Sequence, residues 1–134
     1  MKLGKVIGII GTRRRDTPSV RRLIEDQLWK VYEKGDIICS GGCPQGGDKF
    51  AESIAKSEGI PILIYYPNYK KFKQSAPMIR NTDIAENSDI IIACVMHPED
   101  GVVKVLLRKE GGTEDTLRKF IKLKEQNINK VYLV

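Results

Sequence analysis

The chain has one histidine, one tryptophan and three cysteines among its 134 residues. Each scarcity excludes something. With His97 alone, a zinc site would need ligands of other types, and a Ser-His-Asp triad would have to use this one ring. The opening Met1-Lys2-Leu3-Gly4-Lys5-Val6-Ile7 is too short and too soon strand-like to read as a secretory signal. An odd cysteine count beside such a start argues against a disulfide framework. Cys39 and Cys43 lie four apart in a glycine loop. They could hold a metal or act as a redox switch, but separate reduced thiols are the simpler reading. Nothing in the sequence calls for a cofactor or a metal. No apolar run approaches the roughly 20 residues that span a bilayer, so no membrane partner is expected and a cytoplasmic location is.

What is present is ordinary in amount and unusual in arrangement. Hydrophobic residues make up 41% and charged residues 30%, with a net charge of +6. The length fits a single domain, 1–134, with a moderate core. The positive balance favours anionic partners, nucleotides or nucleic acid, without choosing between them.

Five short runs rich in Ile and Val predict strands at Val6–Ile10, Asp36–Cys39, Ile60–Tyr65, Asp89–Val95 and Lys130–Val134. Most are continuous rather than alternating, the pattern of strands covered on both faces. Helical spacing predicts helices over Pro18–Lys34, Gly47–Ser57, from near Pro77 to near Asn87, and Glu114–Gln126. Thr17 and Pro18 suit a helix start, and Gly35 and Gly59 suit helix stops. In the first helix Val20, Leu23, Ile24, Leu28 and Val31 form the expected apolar face. Two segments, Tyr66–Ala76 and His97–Gly112, read as irregular, with Val102–Leu107 as a short strand or hairpin arm. Strand–helix alternation of this kind predicts an α/β fold, three layers in a Rossmann-like arrangement with a mainly parallel five-stranded sheet.

In such sheets ligands bind beyond the carboxyl ends of the strands, which directs attention to three loops. The first is Gly11-Thr12-Arg13-Arg14-Arg15-Asp16-Thr17. Gly11 permits close backbone approach, Thr12 supplies a hydroxyl, and Arg13 offers a fork of donors to phosphate or carboxylate. Arg14 and Arg15 could share that task, and one arginine could instead pair with Asp16. The second loop, Ser40-Gly41-Gly42-Cys43-Pro44-Gln45-Gly46-Gly47-Asp48, is the strongest signal. Four glycines in nine residues, ahead of a helix, are expected to leave backbone N–H groups uncovered as an anion cradle. Asp48 suits a ribose hydroxyl and equally suits the first turn of a helix. The third loop, Gly111-Gly112-Thr113-Glu114-Asp115-Thr116, opens the last helix, with Thr113 as a cap or a site residue. Arg80 and Asn81 could reach the same crevice.

In order along the chain, Gly11-Thr12-Arg13, Ser40-Gly41-Gly42 with Gly46-Gly47-Asp48, Arg80-Asn81 and Gly111-Gly112-Thr113 resemble the SLOG superfamily. That group joins the Rossmann-like core of the DNA-processing protein Smf/DprA to the Lonely Guy phosphoribohydrolases. The resemblance covers nearly the whole chain and is nearest to the small single-domain members. It implies a nucleotide or nucleotide-derived ligand on the glycine loops and a homo-oligomer. The phosphoribohydrolase branch implies an acid after Gly-Gly-Thr that assists N-glycosidic cleavage. Thr116 stands at that branch's glutamate position, so Glu114 or Asp115 would have to act. The DNA-processing branch implies binding of single-stranded DNA. Here Tyr65, Tyr66, Tyr69 and Phe72 among Lys70, Lys71 and Lys73 could stack bases, or could form a solvated loop. The reading that leads is a sensor or binding protein for a nucleotide.

Overall fold

A computed structural model describes residues 4–108 and 111–134. Met1–Leu3, and Lys109 and Glu110 just before the third glycine loop, lie outside the described residues.

Five strands form one all-parallel sheet: β1 (Val6–Gly11), β2 (Ile37–Ser40), β3 (Ile62–Ile64), β4 (Ile90–Cys94) and β5 (Val131–Leu133). Their spatial order is β3-β2-β1-β4-β5. Among the described residues six α-helices lie between them: α1 (Pro18–Val31), α2 (Gly47–Glu58), α3 (Tyr69–Phe72), α4 (Ala76–Asn87), α5 (Val102–Leu106) and α6 (Gly112–Leu123). The expected α/β class and parallel sheet are therefore present.

The pleat sorts the core residues. Successive strand side chains point to opposite faces. Ile7 and Ile9 of β1 join Ile92 and Cys94 of β4 under Val20, Ile24, Leu28, Phe50 and Ile54 of α1 and α2. Ile10 of β1 joins Ile91 and Ala93 of β4 under Ile84, Val105, Leu117 and Phe120 of α4, α5 and α6. Side chains of this size contribute about 1.5–3 kcal/mol each when fully buried. Both faces of the central strands are thus apolar, which is why they read as continuous runs.

Several boundaries differ from the sequence reading. The first helix stops at Val31, where Tyr32 turns extended. It stops there because the Asp36 carboxylate, only 3% exposed, collects the Glu33 N–H at 2.8 Å, the Lys5 N–H at 2.9 Å and the Lys5 ammonium at 2.6 Å. Gly35 makes the following turn at φ 97° rather than ending the helix. Leu23, expected in the core, is 46% exposed, since Val20, Ile24 and Leu28 already fill the buried stripe. β3 is short and half-exposed because it is an edge strand. Val102–Leu106 is a helix, not a strand. Its apolar residues satisfy a helical spacing too: Val105 is fully buried, with Val102 and Leu106 beside it. The last helix ends at Leu123. Lys124 turns extended and Asn127 donates its side-chain N–H to the Phe120 carbonyl at 2.8 Å, fixing a 3₁₀ segment, Glu125–Lys130. No helix among the described residues is long and apolar enough to cross a membrane.

The Asp36 cluster gives a first prediction. Burial pushes its carboxyl up, but the hydrogen bonds from Lys5 and Glu33 outweigh burial and hold it below the usual carboxylate range. A lowered carboxyl stabilises the fold above its unfolded-state value and loses that contribution as pH falls through the folded-state value. Asp36→Ala should lower stability at neutral pH by about 3 kcal/mol, the scale for breaking a buried pair. Urea unfolding measures it, and the difference from wild type should shrink on acidification.

Candidate functional site

The chain runs from β1 outward to β3, then crosses back to β4 and β5 on the other side of β1. The β1–β4 boundary is therefore the topological switch point. The Thr12 N–H donates to the Cys94 carbonyl at 3.0 Å, so the two strands stay joined to their last residues. Beyond them the loops diverge around a cavity of about 480 Å³.

Three walls surround it. Gly11, Thr12, Arg13 and Arg14 come from the β1–α1 loop, Cys43 and Asp48 from the β2–α2 loop, and Gly111, Gly112, Thr113 and Glu114 from the start of α6. Arg80 and Asn81 of α4 lie between the last two. Ile10, Ile84 and Met96 also line it. Sequence reasoning did not single these three out, because Ile10 and Ile84 look like any other core residues. The switch-point rule could have flagged Met96, two residues beyond β4.

The glycines do a different task from the one expected. Ser40, Gly41, Gly42, Gly46 and Gly47 do not line the cavity. A Cβ on Gly47 would sit 2.6 Å from Gly11 N and 2.6 Å from Ile10 C, and one on Gly46, at φ 74°, would fall on the Thr12 carbonyl. These glycines let the start of α2 press backbone-to-backbone against the end of β1. Gly42 lies under the Tyr66 ring. Nor are all the loop's amides uncovered. The Cys43 N–H donates to Asp48 Oδ2 at 3.1 Å, and the Gly46 N–H donates to Asp16 Oδ1 at 3.0 Å. The second loop is thus capped in part by the protein's own acids. Asp16 pairs with Lys49 at 2.5 Å, not with an arginine, and the Lys49 and Gly46 hydrogen bonds hold its carboxyl low.

The start of α6 is the more open helix end. Its cap is Gly111, with no side-chain cap bond, so Thr113 does not cap it. Thr113 sits in the first turn, 8% exposed, and faces the cavity with no hydrogen-bond partner for its hydroxyl among the described residues. The Glu114 carboxylate curls back over Gly111. Asp115 does not reach the cavity. It accepts from Asn81 Nδ2 at 3.1 Å and Lys119 Nζ at 2.9 Å. Burial pushes its carboxyl up, but those bonds prevail and hold it low. Asp115 is a structural anchor, which leaves Glu114 as the only one of the two acids at the cavity.

Arg80 and Asn81 tie the loops together. Arg80 donates to the Gly41 carbonyl and, at 3.0 Å, to Asn81 Oδ1. Asn81 donates onward to the Gly112 carbonyl at 3.3 Å. The second and third glycine loops are thereby linked through two side chains of α4. Arg15 is spent elsewhere, donating to the Val95 and Val134 carbonyls at 2.7 Å each. Cys39 is buried, and burial pushes its thiol up to about 11, so it is inert at neutral pH. His97 lies exposed against Glu99. Among the described residues no group of three or more His, Cys, Asp or Glu could hold a metal ion.

No family model, curated protein or solved structure matches this chain.

Proposed function

We propose that this protein binds a nucleotide or nucleotide-derived ligand in the switch-point cavity. A phosphate would lie between Arg13 and Arg14 on one wall and the start of α6, with the Thr113 hydroxyl, on the other. The observation that carries this reading is the pairing of those two walls. Arg13 and Arg14, both exposed, line the same cavity as a helix N-terminus that has no side-chain cap bond. A helix start presents N–H donors and a positive partial charge, and guanidiniums match phosphate oxygens. The volume suits a small ligand, since such pockets run to roughly 300–1,000 Å³. The apolar side chains Ile10, Ile84 and Met96 offer a surface for a base, and Asp48 and Glu114 offer acceptors for sugar hydroxyls. The resemblance to the SLOG superfamily points the same way. Asp115 is committed to Lys119 and Asn81, so a cleavage reading would have to rest on Glu114 alone.

A thermal-shift panel tests it: mono-, di- and triphosphate nucleotides, cyclic nucleotides, dinucleotides and a short single strand of DNA. A ligand at a hundred times its dissociation constant adds about 2.7 kcal/mol. For a domain of this length that raises Tm by roughly 8–15 °C. A rise of that order with one nucleotide class is expected. A rise with the strand alone would transfer the site to nucleic acid, and none with any ligand would sink the reading.

A further inference from the structure

Asp48 sits at the first turn of α2, 7% exposed, and lines the cavity. Its hydrogen bonds do not balance if it is ionised. The Ser40 Oγ lies 2.6 Å from the Ile9 carbonyl and 3.1 Å from Asp48 Oδ1. A serine hydroxyl has one hydrogen, and the Ile9 carbonyl, at the shorter distance, takes it. An ionised Asp48 Oδ1 would then face the Ser40 oxygen with no hydrogen between them. A protonated Oδ1–H instead donates to Ser40 Oγ, Ser40 donates to Ile9, and Oδ2 accepts the Cys43 N–H at 3.1 Å. Every buried polar atom in that chain is then satisfied.

We propose that Asp48 is held as a neutral carboxylic acid and that its proton is what allows an anion to share the cavity with it. The surrounding charges leave room for this. Burial is the largest influence on the Asp48 carboxyl and pushes it up. The Cys43 N–H, Arg80 and Ser40 pull down, Glu52 on the next turn pushes up, and the net direction is up. Arg80, the cation that acts on it, already donates to Gly41 and Asn81. The start of α2, which would favour a charged acid, already has the Asp16 carboxylate on its Gly46 amide. Glu114, Arg13 and Arg14 line the same cavity. With Asp48 neutral, Glu114 is the one other acid among the described residues that line the cavity. With Asp48 ionised, a buried negative charge adds to that of the half-buried Glu114 in opposing any phosphate.

The second half of this inference rests on the binding reading above; the first half does not. Carboxyl-carbon NMR of wild-type protein tests the first. One aspartate signal should titrate clearly above the others, and should vanish in Asp48→Asn. All aspartates titrating in the usual carboxylate range would overturn the inference while leaving nucleotide binding untouched. Calorimetric titration with inorganic sulfate, whose charge does not change near neutral pH, tests the second. Wild-type affinity should fall by up to about tenfold per pH unit above the Asp48 midpoint, the limiting slope for one coupled proton. Asp48→Asn, whose amide can make the same bonds as the neutral acid, should give a pH-flat affinity, while Glu114→Gln keeps the slope. A flat wild-type profile, or no sulfate binding, would overturn the coupling.

Discussion

Removing Arg13 and Arg14 together should weaken nucleotide binding at least about a hundredfold while leaving the ligand-free Tm unchanged. The other arginines near the fold's centre are committed. Arg15, Arg80, Arg108 and Arg118 each donate to protein acceptors. Arg13 and Arg14 are exposed and have no side-chain acceptor among the described residues. Exposed side chains without partners contribute within about 0.5 kcal/mol to stability. A hydrogen bond to a charged group, by contrast, contributes about 1.5–3 kcal/mol. Losing two such contacts removes about 3–6 kcal/mol, or about 10²–10⁴ in affinity. Calorimetric titration of Arg13→Ala/Arg14→Ala with the nucleotide found by the thermal-shift panel measures it. Unchanged affinity would place the phosphate elsewhere, and a lowered ligand-free Tm would mean that the pair has a structural task. Arg15→Ala is the contrast. It should lower Tm, because Arg15 ties β4 to β5 through the Val95 and Val134 carbonyls.

The layout of the candidate site was legible in the sequence because ligands of parallel sheets bind beyond the carboxyl ends of the strands, a rule that locates the loops before the strand order is known. The apolar runs of β1 and β4 announce strands buried on both faces, so the loops after them are the places to look. Gly11, Thr12, Arg13, Asp48, Arg80, Asn81, Gly111, Gly112, Thr113 and Glu114 all come to one cavity. What was not legible is division of labour. A glycine chosen for contact with a ligand and one chosen for contact with a neighbouring strand look alike in a sequence. Only the geometry assigns Gly46 and Gly47 to packing. Glu114 and Asp115 are adjacent acids, and only the position of Lys119 and Asn81 tells them apart. Val102–Leu106 illustrates a different limit. Five residues with four apolar positions fit either period, and the buried wall of α6 decides for a helix.

Gly47→Val should have the largest effect on the fold, and comparison with Gly59→Ala shows why. Gly59 adopts φ 68° with nothing within 4 Å of a would-be Cβ. Alanine there meets only the backbone penalty of a left-handed conformation, about 1–2 kcal/mol. Gly47 is an ordinary helical residue with no such penalty. Its would-be Cβ, however, lies 2.6 Å from two backbone atoms of β1, and Gly11 offers no side chain that could swing away. The start of α2 must then move off the central strand, dragging Asp48 from Ser40 and parting Gly46 from Asp16. Overpacking of this kind costs about 3 kcal/mol at the upper end of its usual range, and valine adds two methyls to the clash. Urea unfolding should show Gly47→Val losing at least about 3 kcal/mol, more than Gly59→Ala. Gly47→Ala should already lose most of that, since the Cβ alone makes the contact. Were Gly47→Val as stable as wild type but unable to bind nucleotide, the second loop would be a ligand cradle after all, and the packing account of its glycines would be wrong.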